Sequence, residues 1–289
     1  MNKLKIVYMG TPGFAVEPLK QLLKDEQKIL AIITAPDKPA GRGKKISESK
    51  VKTFAKDLNI KILQPTNLKS PDFISELKSL NADLFVVVAF RMLPKEVWQI
   101  PKYGTINLHA SLLPDYRGAA PINHAILNGD TETGLTTFFI NEEIDTGNII
   151  FQTKCEILKS DNAGTLHDKL MDLGGELLVK TVNSIANGTA KSIEQDSLKT
   201  DKLHPAPKLT KEFCKLDFNN SAEELHNKVR ALSPYPSAWF ELANTENTIK
   251  VFETSYEITE HNFETGKIIS DNKNEIKIAV KDGFLLIHE

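Results

Sequence analysis

The sequence predicts an α/β fold, with a doubly wound, mostly parallel sheet followed by a small β-barrel domain. Three observations carry this. Strand-like and helix-like segments alternate through the first half of the chain. Residues 84–89, Leu-Phe-Val-Val-Val-Ala, form a continuous apolar run, as expected of a central parallel strand covered on both faces. Beyond a proline-containing stretch at residues 200–211, one helical segment is followed by short strand-like runs. The alternation makes the first part Rossmann-like.

Residues 5–9 read as a buried strand bounded by Gly10. Residues 15–23 read as a helix with Val16, Leu19, Leu22 and Leu23 on one face. A strand at 29–34, a helix at 51–58 and a strand at 61–63 follow, then a helix at 71–80 with Phe73, Ile74 and Leu77 inward. Residues 134–140 and 149–157 extend the sheet. Residues 165–186 give the clearest helix, with Leu166, Leu170, Leu173, Leu177 and Val182 at three-or-four spacing, Thr165 placed to cap it and Gly188 to end it. The boundary between domains is placed at 203/204. In the second domain, Ser221 and Glu224 form a capping box for a helix at 222–232. Strands are expected at 238–242, 248–255, 267–269 and 276–287, the last with a turn at Lys281-Asp282-Gly283.

A net charge of −2 argues against a general polyanion binder, so any basic site must be local. The cysteines, Cys155 and Cys214, fit no metal-ligand spacing and are expected reduced and buried. The first apolar run is too short for a signal peptide, and no run approaches a membrane span. A cytoplasmic monomer is expected.

Chemistry concentrates in Asn107-Leu108-His109-Ala110-Ser111-Leu112-Leu113-Pro114-Asp115-Tyr116-Arg117-Gly118 and, further on, Glu143-Ile144-Asp145-Thr146-Gly147. Side chains two apart on a strand point the same way, so Asn107 and His109 share a face at the strand's end. An amide beside an imidazole can hold a developing oxyanion and move a proton. Asp145, folded back onto them, would orient and charge-stabilise the ring. This outlines an acyl-transfer site that needs no metal. Asn107 and His109 alone would read as a satisfied polar pair; the 111–114 turn and the Asp-Thr-Gly run together favour chemistry. Gly10 and Gly13 do not complete a dinucleotide fingerprint, and no acidic residue closes the second strand before Pro36, so a plain tight turn is preferred there and a nucleotide-dependent oxidoreductase is disfavoured. The remaining histidines, His124, His167, His204, His226, His261 and His288, read as surface or cap residues.

These residues resemble the folate-dependent formyltransferases. The central block and Asp145-Thr146-Gly147 carry the family likeness. Met9-Gly10-Thr11-Pro12-Gly13-Phe14-Ala15 also matches, and the loop Pro36 to Lys45 and Leu232-Ser233-Pro234-Tyr235-Pro236-Ser237-Ala238-Trp239 narrow it to the tRNA-formylating members. The resemblance implies transfer of a formyl group from 10-formyltetrahydrofolate to the α-amino group of initiator methionyl-tRNA. It implies that Asn107, His109 and Asp145 are the catalytic trio. It implies a folate site walled by Ser111, Leu112, Leu113 and Pro114 and by Phe90, Arg91 and Leu93 at the end of the central strand. Many tRNA-formylating relatives carry Tyr-Gly where this chain has Phe90-Arg91, a change that backbone contacts to the pterin would accommodate.

The resemblance also implies an OB-like barrel at 204–289, and that relatives usually continue with a basic segment and a final helix, so the domain is expected to be shortened at Glu289. Residues 37–52 hold six basic residues (Lys38, Arg42, Lys44, Lys45, Lys50, Lys52) against Asp37 and Glu48. With Gly41 and Gly43 they read as a flexible loop, and the likeness assigns Arg42, Lys44 and Lys45 to tRNA. Residues 204–289 carry ten Lys plus Arg against fourteen Asp plus Glu, so a tRNA contact there would need its basic residues on one face, for example Lys208, Lys211, Lys228 and Arg230. The alternatives are formyl transfer to another amine such as an amino sugar nucleotide, hydrolysis of the formyl donor, and a non-catalytic RNA-binding protein, the last opposed by retention of all three trio residues.

Overall fold

In the computed structural model, which describes residues 3–40, 45–198, 203–243, 245, 247–271, 273 and 275–289, the chain opens with β1 (Lys5–Gly10), buried from Ile6 onward. A 3-10 turn leads into α1 (Val16–Lys24), which buries Pro18, Leu19 and Leu22. β2 (Lys28–Ile33) pairs parallel with β1. Within the segment expected to be a flexible loop, β3 (Lys38–Ala40) pairs antiparallel with β4 (Lys45–Ser47). Three residues per strand are too few for alternation to reveal. α2 (Lys50–Ala55) is capped by Ser49, whose Oγ accepts the Lys52 N–H at 3.0 Å. β5 (Lys61–Leu63), α3 (Pro71–Ser79) and β6 (Leu84–Val88) follow as read, and a short helix, α4 (Lys95–Trp98), precedes β7 (Thr105–His109).

After α5 (Pro121–Leu127), β8 (Glu132–Phe139) and β9 (Ile149–Glu156) complete a seven-stranded sheet of order β5-β2-β1-β6-β7-β8-β9. The strands from β5 to β7 are parallel; β8 turns antiparallel to β7. The winding reverses between β1 and β6, so their carboxyl ends flank the switch point where such sheets bind ligands. β6 is buried at every residue, which accounts for its unbroken apolar sequence.

One face of the sheet packs Val7, Met9, Ala31, Ile33, Phe85 and Val87 against Phe73, Leu77 and Val97 of α3 and α4. On the other face lies α6 (Ala163–Ala186), with Gly174 against Leu108 of β7. α6 begins two residues before the expected start. Its cap is Asn162 rather than Thr165: Asn162 Oδ1 accepts the Thr165 N–H at 2.9 Å and Thr165 Oγ1 accepts the Asn162 N–H at 3.0 Å. Gly188, at φ +67°, lies just past its end.

The chain divides into two compact units, one of residues 1–115, 134–154 and 168–203, the other of 116–133, 155–167 and 204–289. The second unit thus takes in two segments that precede 204. In it, α5 packs on α7 (Ala222–Leu232), and Asn123 Nδ2 donates to the Ala231 carbonyl at 2.6 Å. The Ser221–Glu224 capping box is present. β10 (Ala238–Glu241) pairs with β11 (Thr248–Val251); β12 (Thr254–Ile258), β13 (Ile268–Ser270), β14 (Ile276–Val280) and β15 (Gly283–Ile287) form an antiparallel sheet of order β12-β15-β14-β13. The single strand expected at 248–255 is split at Phe252 and Glu253, which belong to neither β11 nor β12. Leu225, Val229, Phe240, Val251, Ile278 and Leu285 share one core with Cys214. Both cysteines are buried and unbridged. No described helix is long and apolar enough to cross a membrane.

Candidate functional site

The register of β7 aims the site. Thr105 pairs with Phe85 and Asn107 with Val87, and register partners on parallel strands point to the same face. Thr105 confirms the side, donating from Oγ1 to the Trp98 carbonyl of α4 at 2.7 Å. Asn107 and His109 therefore project away from α6, while Leu108 packs toward it. His109 is buried at 7% exposure and ends the strand.

The β8–β9 connection brings Asp145 back to this point. Asp145 Oδ2 lies 3.8 Å from His109 Nδ1, with its side chain 15% exposed. That separation is an ion-pair distance, longer than a hydrogen bond. Asp145 sits in the left-handed region at φ +55°. The turn closes tightly: a Cβ on Gly147 would come within 1.6 Å of the Phe139 carbonyl oxygen, so only glycine fits. Asn141 Oδ1 accepts from the Glu143 N–H at 3.1 Å and from Thr146 Oγ1 at 2.9 Å. From outside the turn, Gln195 Nε2 donates to the Asp145 and Gly147 carbonyls, both at 2.8 Å.

The turn after β7 is also anchored. Thr136 Oγ1 donates to the Ser111 carbonyl at 2.7 Å and accepts the Leu113 N–H at 3.0 Å, while Gln152 Nε2 donates to the Leu113 carbonyl at 2.8 Å. Ser111 Oγ donates to the Asp115 carbonyl at 2.6 Å, within its own turn. Leu113, assigned by the likeness to the wall of a folate site, is 1% exposed and faces Phe138 and Ile149 in a protein core. Leu112 is half-buried beside Gly134, and the peptide before Pro114 is cis.

At the end of β6, Ala89 takes φ +46°. Leu93 is buried in the sheet core with Phe90 packed against it. Arg91 lies over the Phe90 ring, 5.2 Å from its centroid, and donates from Nη2 to the Pro65 carbonyl at 2.7 Å. Burial pulls its guanidinium below the usual arginine range. The side chains of Leu93, Arg91 and Leu113 are thus engaged by the protein, while Met92 is 69% exposed and Leu112 half-buried.

Gly10 is a packing glycine, since a Cβ there would lie 2.6 Å from Ala15 Cβ. Arg42 and Lys44 lie outside the described residues; Lys45 starts β4. Lys52 is held locally, 2.5 Å from Asp37 and 3.4 Å from Glu48. His124, expected as a surface or cap residue, is 6% exposed, with Nε2 3.0 Å from the Pro207 carbonyl. His226 is partly buried against Thr254.

Thr136, Gln152 and Gln195 carry no motif and escape a reading of the sequence. The first two are polar residues inside strands read as sheet extensions, which is a usable signal; Gln195 lies in an irregular segment and offers none. Among the described residues, no group of three or more His, Cys, Asp or Glu side chains is arranged to hold a metal ion.

The formyl transferase family profile matches residues 3–182, and its C-terminal domain profile matches 208–289. A methionyl-tRNA formyltransferase of Bacteroides thetaiotaomicron is 50% identical over 288 residues, covering 98% of this chain and 89% of the relative. One from Flavobacterium johnsoniae is 52% identical, covering 99% and 90%. Among solved structures, an N-formyltransferase from Helicobacter canadensis in complex with folinic acid and dTDP-3-aminofucose superposes with a TM-score of 0.70 at 23% identity over 99% of both chains. The sugar 3N-formyl transferase WlaRD gives 0.69 at 24% identity over 100% and 98%.

Proposed function

The chain belongs to the formyl transferase family, and from that premise we propose that it transfers the formyl group of 10-formyltetrahydrofolate to the α-amino group of initiator methionyl-tRNA, a cytoplasmic step of translation initiation. Near-full-length identity of about half to enzymes of that name supports the acceptor. The observation that carries the chemistry is the approach of Asp145 Oδ2 to His109 Nδ1, 3.8 Å, at the carboxyl end of β7.

The folate is a second substrate carrying the one-carbon unit. The segments at 89–93 and 111–114 suit its pterin through backbone groups, because the side chains of Arg91, Leu93, Ser111 and Leu113 are occupied elsewhere. The amine attacks the formyl carbon; a carbon–nitrogen bond forms and the carbonyl oxygen becomes an oxyanion. The Asn107 amide and the His109 imidazolium donate to that oxygen. Asp145 orients the ring and offsets its positive charge. As the carbonyl re-forms, the bond to the folate nitrogen breaks, and the proton lost by the attacking amine is in balance the one that nitrogen takes up. Holding amine and formyl carbon together lowers the barrier by avoiding the entropy loss of encounter.

Single-turnover formylation of initiator methionyl-tRNA, with a donor-only control, tests the reading. Amine-dependent formylmethionine is expected. Donor consumed without tRNA indicates a hydrolase, and formylation of an amino sugar nucleotide instead overturns the acceptor. His109→Ala should cut turnover by about 10²–10⁴-fold and leave affinity for a non-reacting folate nearly unchanged. Undiminished turnover in that variant removes His109 from the mechanism.

A further inference from the structure

The turn carrying Asp145 is clamped by a residue that no motif marks. Gln195 is 2% exposed, and its side-chain amide donates to two carbonyls of one turn, those of Asp145 and Gly147, each at 2.8 Å. An amide nitrogen has two protons, and both acceptors here are carbonyls, so the pattern fixes which end of the side chain faces the turn. The two bonds pin the Asp145–Thr146 and Gly147–Asn148 peptide groups.

This matters because Asp145 occupies a backbone region unfavourable to residues with a Cβ, φ +55°. Such a conformation persists only where the surroundings over-determine it. The segment bearing Gln195 is itself fixed, because Ile193 and Ile149 exchange N–H···O bonds at 2.8 Å in both directions. Gln195 therefore ties the Asp145 turn to β9, which neighbours β8 in the sheet that carries His109. At 3.8 Å, His109 Nδ1 and Asp145 Oδ2 are at ion-pair rather than hydrogen-bond distance, so their approach depends on placement. A small drift of the turn would separate the carboxylate from the ring.

We propose that Gln195 is a positioning residue for formyl transfer, setting the Asp145 carboxylate against His109 through the two carbonyls it bridges. The proposal rests on the role given to Asp145 above. Its test uses the full chain and four proteins: wild type, Gln195→Met, Asp145→Asn and the double variant. Gln195→Met keeps length and volume but cannot donate. It should lower kcat by about 10- to 100-fold, with KM for donor and tRNA within about twofold, since a displacement near 1 Å has that effect on reacting geometry. In the Asp145→Asn background the same change should cost less than about twofold more, because residues acting as a unit are non-additive.

Full, additive loss in the double variant overturns the proposal, as does a loss expressed in KM. Undiminished turnover in Asp145→Asn alone sinks the role of Asp145, and the proposal with it; a drop there with none in Gln195→Met sinks the proposal only. Should Gln195→Met not fold, Gln195→Asn serves. It retains the donor but is one methylene short of bridging both carbonyls, so an intermediate kcat is expected and a wild-type kcat overturns the clamp.

Discussion

Arg91 Nη2 donates to the Pro65 carbonyl oxygen at 2.7 Å, tying the segment after β6 to the one after β5. A weaker bond runs from Nη1 to the Thr66 carbonyl at 3.3 Å, and the guanidinium lies over the Phe90 ring. The brace restrains the backbone that leaves β6, where the pterin is expected. Arg91→Gly should cost about 1–3 kcal/mol of stability by removing the hydrogen bonds of a charged donor. KM for the folate donor should rise several-fold with kcat little changed. Arg91→Lys, a point charge without the planar fork, should fall between. Denaturant melts and donor titrations check both, and unchanged donor KM in Arg91→Gly refutes the brace.

Gly147 and Gly13 make a matched pair. Gly147→Ala drives a Cβ to within 1.6 Å of the Phe139 carbonyl oxygen, and backbone cannot yield as a side chain can. It should destabilise by more than about 2 kcal/mol and displace Asp145, reducing turnover as well. Gly13→Ala meets nothing within 4 Å, and should be neutral or stabilising by up to about 1 kcal/mol through the unfolded chain. Equal melting points for the two variants would contradict this reading of the β8–β9 turn.

These two sites also mark how far the fold and the site are legible in the sequence. The alternation of strand and helix, the apolar run at β6 and the period-two placement of Asn107 and His109 all follow from local pattern, and the structure keeps each. Asp145 is legible only because Asp-Thr-Gly accompanies the central block. Its approach to His109 depends on a β8–β9 turn whose geometry is set by Asn141, Gly147 and Gln195. Interactions of that kind join residues far apart in sequence and leave no periodic trace. The same holds for Leu113: its place in the Phe138–Ile149 core follows from Thr136 gripping its N–H, which no reading of the 111–114 turn alone supplies.

The second unit carries a pH-sensitive element. Burial first, then the nearby Arg230 charge, pushes the His226 imidazole down to about 4, with the Thr254 hydrogen bond opposing. The folded state therefore favours the neutral ring. In the unfolded chain the ring takes up a proton near its ordinary value of about 6.5. Between those values the unfolded chain binds more protons, so the contribution is fully present above about pH 6.5 and lost as pH falls toward about 4. The shift corresponds to about 3 kcal/mol, and solvent screening of this partly exposed ring brings the loss to on the order of 2 kcal/mol. His124, also lowered by burial, adds in the same direction. Urea melts at about pH 5 and about pH 7.5 should show wild type losing more stability on acidification than His226→Gln. Identical pH slopes would discount the residue.

The segment around β3 and β4 should act on tRNA and not on folate. Arg42 and Lys44, which fall between the two strands in sequence, and Lys45 at the start of β4 are the basic residues the family likeness assigns to RNA. Lys52 is excluded from that role, because Asp37 and Glu48 already hold it at 2.5 and 3.4 Å. Counterion release gives a quantitative signature: each phosphate no longer neutralised should flatten the slope of log affinity against log salt by about 0.7–0.9. Arg42→Ala and Lys44→Ala should raise tRNA KM, flatten that slope by about one such increment for each phosphate released, and leave kcat and donor KM near wild type. Lys52→Ala should instead lower stability slightly and leave the salt slope alone. Affinity measured from about 50 to about 200 mM salt distinguishes them, and a slope that falls equally in Lys52→Ala would place the phosphate-binding residues elsewhere.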